Sequence, residues 1–281
     1  MKKVAVIGTG RLGSAIARGL KRAGFRIAYL ASEPLETARE LAEALGGWIM
    51  EVPYKEISEV DIVFLTVPDD EIESISKTLA EQTAIDWRGK LVVHCSGALT
   101  SGALDDLRRK GAAALSLHPL QTFPPGSSAD RFRGVYFAIE GDDKAQGEAI
   151  ARSLKGLPLF IEAGEKAGYH AAAALASNCL LALADAAGEL LERAGVEPGK
   201  TAAVLTPLMQ GAVDSIRERG IQGGITGPIS RGDVLTVKRH LQYLKNHPEI
   251  LTLYKILGLR LLKIADLPEE KKGELSEILG G

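Results

Sequence analysis

Hydrophobic positions up to about Ile161 come in short runs: Lys3–Gly8, Arg26–Leu30, Asp61–Val67, Lys90–Cys95, Ala113–Leu117, Val135–Glu140 and Pro158–Ile161. Helical patterns and turn signals separate them. Several runs are apolar throughout instead of alternating, as strands covered on both faces are. Strand–helix–strand alternation predicts a parallel sheet with crossover helices. After Gly164 the period turns helical: Lys166–Arg193 is long and Ala-rich, followed by Thr201–Arg219, Val234–Asn246, Pro248–Ala265 and a short terminal helix. The expected fold is α/β, a doubly wound parallel sheet over residues 1–162. An all-α domain follows over residues 163–281. Gln121–Arg133, with Pro124, Pro125 and Gly126, reads as a long loop of the functional or mobile kind.

Composition narrows the class. A length of 281 residues suits two domains. With 34 basic and 36 acidic residues the formal charge is −2, which argues against a nucleic-acid partner. Two cysteines, Cys95 and Cys179, are too few for a disulfide framework or a zinc cluster. Both lie in apolar sequence and read as buried thiols in a reducing cytoplasm. The N-terminal apolar run is four residues and leads into glycines, unlike a signal peptide. Ala171–Ala187, the most apolar stretch, is interrupted by Ser177, Asn178 and Asp185 and reads as too short and polar to span a membrane.

Chemistry enters at residues 4–13, VAVIGTGRLG. Gly8, Gly10 and Gly13, with Thr9, Arg11 and Leu12 between them, form G-x-G-x-x-G after a strand and before an amphipathic helix. In that context the first glycine makes the turn, the second admits a pyrophosphate and the third lets helix and strand approach. The phosphate rests on unpaired N–H groups at the helix N-terminus. An NAD site usually carries an acid at the end of the second strand. Here that position is near Ala31, while Ser32 and Arg11 suit a 2′-phosphate and Glu33 opposes one. NADP is the expected cofactor, with NAD as the alternative. Pro198-Gly199-Lys200-Thr201 mimics the end of a P-loop, but its required first glycine is Ala194 and no strand precedes it.

The other strands end in Val67-Pro68-Asp69, in His94-Cys95-Ser96-Gly97 and in His118-Pro119. Ligands bind beyond the carboxyl ends of parallel strands, so these segments face the expected cleft. Val67, Pro68, Ser96 and Gly97 suit the approach of a nicotinamide ribose. His118 reads either as a proton donor or as a turn histidine. Lys166 and His170 stand one helical turn apart on one face. Ser177, Asn178 and Arg231 are candidate substrate contacts, Arg231 through paired hydrogen bonds to a carboxylate. Helix–helix bonding for the first two and a salt bridge to Asp233 for Arg231 are the structural alternatives. No cluster has metal-ligand spacing.

These residues together resemble the two-domain Rossmann-like oxidoreductases of the 6-phosphogluconate dehydrogenase-like superfamily. The nearest subgroup is the one whose helical C-terminal domain is a domain of unknown function. The resemblance is carried by Gly8–Gly13, Val67-Pro68-Asp69, Cys95-Ser96-Gly97, His118–Phe123, Tyr169-His170, Ala176-Ser177-Asn178 and Thr226–Asp233. Relatives include pyrroline-5-carboxylate reductase, ketopantoate reductase, 3-hydroxyisobutyrate dehydrogenase and prephenate dehydrogenase. In the hydroxyisobutyrate group a Lys-x-x-x-Asn supplies the acid/base lysine and its orienting Asn. The resemblance therefore implies a catalytic role for Lys166, with His170 where the Asn stands. Many subgroup members carry Ser-Arg after the second strand, where this chain has Ser32-Glu33. The implied reaction is hydride transfer from NADPH to the carbonyl of a small, ketopantoate-like oxo acid. An imine reductase of the pyrroline-5-carboxylate type and a non-catalytic dinucleotide sensor are the alternatives. The apolar helices and the relatives' pairing imply a cytoplasmic homodimer acting on a small carboxylic acid, with no membrane partner.

Overall fold

The computed structural model describes residues 1–50 and 54–280. The chain divides into two compact units, Met1–Asn178 and Cys179–Gly281. The first is built on an eight-stranded sheet of β1 (Lys3–Ile7), β2 (Arg26–Ala31), β3 (Trp48–Ile49), β4 (Ile62–Leu65), β5 (Leu91–His94), β6 (Ala113–Pro119), β7 (Tyr136–Gly141) and β8 (Leu157–Phe160). Their order is β3-β2-β1-β4-β5-β6-β7-β8. The order reverses between β1 and β4, where a crevice opens beyond the strand ends.

The apolar runs form central strands because both faces are covered. On one face Val4, Val6, Phe64, Val93 and Leu115 pack against α1 (Arg11–Arg22), α2 (Leu35–Leu45) and α5 (Lys144–Ser153) through Ile16, Leu20, Leu41 and Ile150. On the other, Ala5, Ile7, Val63, Leu65 and Val92 meet Ile72 and Leu79 of α3 (Asp69–Ala80) and Leu107 of α4 (Asp105–Arg109). Burying such a leucine or isoleucine contributes about 1.5–3 kcal/mol.

The sheet is not parallel throughout: β6 and β7 pair antiparallel. A parallel return needs a crossover element, usually a helix. Pro124, Pro125 and Gly126 prevent one, and the connection holds a single 3-10 turn, Ala129–Phe132. Nor is that loop loose. Phe132 is fully buried, and the Phe123 ring lies 5.2 Å from it. Strand β3 escaped the sequence reading because it is two residues long and follows Gly46-Gly47.

The helical run expected over Lys166–Arg193 is two helices, α6 (Lys166–Ala176) and α7 (Asn178–Arg193). They part at Ser177 (φ −120°, ψ −70°), whose hydroxyl donates to the Ala173 carbonyl. Such back-bonding competes with a helix's own ladder. α6 groups with the sheet, so the division falls after Asn178 and not near residue 163. By length and composition alone Ala163–Arg193 would be long and apolar enough to cross a membrane, but the break at Ser177 divides that run into α6 and α7.

The second unit comprises α7, α8 (Thr201–Gly224), α9 (Val234–Leu244), α10 (Pro248–Ile264) and α11 (Glu269–Gly280). Its buried core is Ile229, Val237, Leu262, Leu275 and Leu279. Cys95 is buried as expected, but Cys179 is exposed at the start of α7, whose buried residue is Gly188.

Candidate active site

Each glycine of the first turn has a separate physical reason. Gly8 takes φ +93°, and a Cβ on it would sit 2.7 Å from the Thr66 backbone. A Cβ on Gly13 would lie 1.9 Å from the Gly8 carbonyl oxygen. Gly10 differs, because a Cβ there meets nothing within 4 Å. The turn is tied down by Gly8 N–H donating to Ala31 O (2.8 Å) and Thr66 Oγ1 donating to Gly8 O (2.6 Å).

Gly10 begins α1 without a side-chain cap, and the first turn of α1 holds no acid. Unpaired N–H donors with open space before them suit an anion. The neighbouring helix contrasts: α3 follows Pro68 with Asp69, Asp70 and Glu71 in its own first turn. An anion such as a pyrophosphate would suit the first of these helix starts and not the second. Arg11 is exposed and Leu12 half-buried. Ser32 Oγ accepts from Thr9 N–H at 3.3 Å, and Thr9 Oγ1 lies 3.0 Å from Thr37 Oγ1. The Ser32 turn is thus knitted to the glycine loop, with Glu33 exposed beside it. Val67 is half-buried and Pro68 exposed at the end of β4.

The chemistry-bearing cluster forms at the ends of β5 and β6, under α6. The Lys166 side chain is buried, 1% exposed. Its Nζ donates to the Ser96 carbonyl at 2.9 Å and to Ser116 Oγ at 2.7 Å. Burial lowers its pKa to about 8, although Glu140 foremost, with Cys95 and Asp69, acts in the opposite sense. His118 Nδ1 lies 2.8 Å from the Tyr169 hydroxyl. The His118 and His170 rings stand edge to face, 6.4 Å apart. Gly97 lies against both: a Cβ there would come 2.7 Å from His170 Cδ2 and 3.0 Å from His118 Nε2. Ser96 Oγ donates to Asp69 Oδ2 at 2.7 Å, joining the end of β5 to the start of α3. Burial pushes Tyr169 up to about 12, and Cys95, at the end of β5, likewise.

Five of the expected residues, Ser96, Gly97, His118, Lys166 and His170, therefore come together. Ser177 does not join them, since eleven residues of helical rise carry it roughly 16 Å beyond Lys166. Asn178 follows it, its Oδ1 2.9 Å from the Ser177 hydroxyl oxygen. Arg231 lies exposed in the second unit. Asp233 is its neighbour in sequence but caps α9, accepting from the Thr236 N–H and hydroxyl.

Sequence reasoning missed His94, Ser116, Tyr169 and Asp69 as site residues. Two of them carried a signal. Ser116 is two residues before His118 on one strand, so both side chains leave the same face. Tyr169 is one helical turn after Lys166.

Burial pushes His94 and His118 down to about 4, with the Lys166 charge adding to the effect. Both are neutral in the folded protein at pH 7. Their folded-state pKa values lie below the unfolded value near 6.5. Stability is therefore complete above pH 6.5 and is lost as pH falls toward 4. On the order of 2 kcal/mol is withdrawn for each by pH 5. Urea titrations at pH 7 and pH 5 should show this loss. A single His118→Asn change should reduce it by about half.

The class that this sheet and glycine turn define is a Rossmann-like domain, and residues 1–119 match the family model of that description. The second assignment is narrower. Residues 135–261 match the domain of unknown function DUF2520.

Solved structures share the fold across nearly the whole chain. Protein TM1727 from Thermotoga maritima is 27% identical, with a TM-score of 0.75 over 94% of this chain and 98% of its own. The reductive aminase of Aspergillus terreus, in complex with NADPH and ethyl levulinate, is 16% identical, with a TM-score of 0.66 over 99% of both chains. A pyrroline-5-carboxylate reductase from Coxiella burnetii is 17% identical, with a TM-score of 0.59 over 98% of both. At these identities the last two show a shared fold alone. Among curated proteins, glycerol-3-phosphate dehydrogenase [NAD(P)+] of Azorhizobium caulinodans is 28% identical over 168 residues. That match covers 54% of this chain and half of the dehydrogenase's length. The chain thus has the fold of NAD(P)-dependent oxidoreductases.

Proposed function

We propose that the protein is an NADP-dependent oxidoreductase that reduces the carbonyl of a small 2-oxo acid of the ketopantoate kind. The observation that carries this reading is the buried Lys166 amine, docked at the ends of β5 and β6 beside Gly97, His118 and His170. Gly10 and the first N–H groups of α1 would hold the pyrophosphate, with Thr9, Leu12, Ser32, Val67 and Pro68 around the dinucleotide. When bound, NADPH supplies a hydride. Reducing a carbonyl leaves negative charge on oxygen, which a proton must quench. Lys166, near 8, is charged at pH 7 yet releases its proton more readily than an ordinary lysine. Neutral His118 orients the oxygen by a hydrogen bond from its edge over Gly97, and Tyr169 fixes the other edge of the ring.

An imine reductase is the second reading, favoured by the Asp69 carboxylate bonded to Ser96, which would steady an iminium charge. The Lys166 cation acts against it. An iminium carries its own proton and positive charge, and a like charge nearby raises its energy. NADPH oxidation against a panel of oxo acids and cyclic imines tests the ranking. Turnover of oxo acids alone is the expected result. Turnover of imines alone reverses the ranking, and inactivity with every substrate favours a dinucleotide sensor. For the oxo acid, kcat should fall as pH rises through about 8, as Lys166 loses its proton. A profile flat from pH 7 to 10 removes Lys166 as donor.

For the cofactor, Ala31 offers no carboxylate to a ribose, and Ser32 and Arg11 favour a 2′-phosphate. Tighter binding of NADH than NADPH in calorimetry would overturn that choice. A reducing, cytoplasmic setting suits Cys95, held as a buried thiol.

The partner we infer is a second copy, bound through the helical unit. Leu181 and Leu208 are 72% and 74% exposed, and Val204, Val213, Ile216 and Ile221 are exposed on α8. Large apolar side chains left exposed on more than one face of a helix call for a cover, and a symmetric contact is the usual one. Sedimentation without detergent should give twice the chain mass. A monomer at micromolar concentration contradicts it.

A further inference from the structure

We propose that His94 is a positioning residue, which fixes the Ser96 carbonyl against the Lys166 amine and so holds the proton donor in place. The name proton donor rests on the oxidoreductase reading; the mechanical coupling does not.

His94 is the last residue of β5 and is fully buried. Its register partners are Leu65 on β4 and Ser116 on β6. Both ring nitrogens are engaged. Nδ1 accepts from the Ser96 N–H at 3.2 Å, and Nε2 lies 3.0 Å from the Thr100 carbonyl, to which it donates. A backbone N–H can only donate, so Nδ1 carries no proton and the tautomer is fixed. The ring thereby spans a tight turn, with one edge at its first residue and the other near its end. Inside the turn Ser96 Oγ accepts from Ala98 N–H (3.1 Å) and Leu99 N–H (2.9 Å) while donating to Asp69. Past the turn, Ser101 donates to the Glu140 carboxylate through its N–H (2.6 Å) and its hydroxyl (2.8 Å).

The Ser96 carbonyl leaves this turn aimed at Lys166 Nζ. Among the described residues it is one of two acceptors for that amine, the other being Ser116 Oγ. The remaining groups that act on the amine are Glu140, Asp69, Cys95, His94 and His118. None of them hydrogen-bonds to it directly. An acceptor in contact with an ammonium favours the charged form, so displacing the Ser96 carbonyl lowers the lysine's pKa. A hydrophobic residue at 94 would fill the space. It would also leave the Ser96 N–H and the Thr100 carbonyl unpaired in a dry site, a costly arrangement that moves the turn.

Three substitutions separate positioning from packing. His94→Asn keeps an acceptor where Nδ1 stands, toward Ser96. His94→Gln keeps a donor where Nε2 stands, toward Thr100. His94→Phe keeps only the volume. The test titrates the full-length protein, labelled with 13C at lysine Cε, by NMR, with the Lys166 resonance assigned by its loss in Lys166→Met. No substrate is needed. In the wild type that resonance should titrate near pH 8. In His94→Asn the midpoint should stay close to wild type. In His94→Gln and His94→Phe it should drop by about one unit, a tenfold change in the protonation constant. Should the Phe variant fail to fold, the Asn–Gln comparison carries the result.

An unchanged midpoint in both Gln and Phe, a rise in either, or equal midpoints in Asn and Gln overturns the proposal. The shift observed together with a failure to oxidise NADPH with every oxo acid and imine leaves the coupling standing and defeats the oxidoreductase reading instead.

Discussion

In Lys166→Ala, kcat falls by roughly two to four orders of magnitude while NADPH affinity is nearly unchanged. The split follows from where the amine sits. It bonds to the ends of β5 and β6. The glycine loop is closed by its own contacts with Thr66, Ala31 and Ser14. Removing the amine therefore takes away a proton source without opening the phosphate cradle. Lys166→Arg should fail to restore activity, because a guanidinium stays protonated at any working pH. Its planar fork also cannot occupy a site shaped by one carbonyl and one hydroxyl. Steady-state kinetics with the substrate found in the panel, paired with calorimetry for NADPH, checks both halves. Wild-type turnover in the alanine variant defeats the assignment and passes the role to His118 or His170.

The second large effect separates two glycines three residues apart. Gly10→Val should fold normally, since nothing lies within 4 Å of a Cβ there, and should lose NADPH binding by at least about a hundredfold. Its side chain would stand in the space before α1 that an anion needs. Gly13→Ala should do the opposite damage first. Its Cβ would lie 1.9 Å from the Gly8 carbonyl, so α1 must move away from the sheet. Overpacking of this kind costs typically 1–3 kcal/mol, and rigid backbone as the obstacle places the change at the upper end. Thermal melting with calorimetry distinguishes the two. Tight NADPH binding by a folded Gly10→Val protein would contradict the placement of the cofactor.

The parts legible in the sequence were those set by local pattern. Runs such as Val4–Ile7 and Ile62–Leu65 are apolar at every position because both faces of those strands are covered. The G-x-G-x-x-G spacing could be read because each glycine answers a short-range steric demand. Gly97, His118, Lys166 and His170 were within reach, since strand ends and helix starts of an open sheet share one edge. The remainder depends on contacts between distant residues. His94 reads as the end of an apolar strand until Thr100 folds back to meet its ring. Lys166 looks like a surface lysine until Ser96 and Ser116 close on it. The division after Asn178 was hidden because the periodicity of the Lys166–Arg193 run does not register a break at Ser177. The antiparallel pairing of β7 was hidden because strand direction is not written in a strand's own residues. The absence of a helix between Leu120 and Val135 was the available clue. Cys179 was misplaced because an apolar neighbourhood in sequence does not say whether a helix face is covered.

The most direct test of the central claim is a crystal structure of the protein with NADPH bound. The pyrophosphate should lie on the N–H groups of Gly10 and α1, and the nicotinamide ring over Gly97 with its C4 turned toward the His118–His170–Lys166 cluster. A nicotinamide directed away from Gly97, or a glycine loop left empty at saturating NADPH, would contradict it.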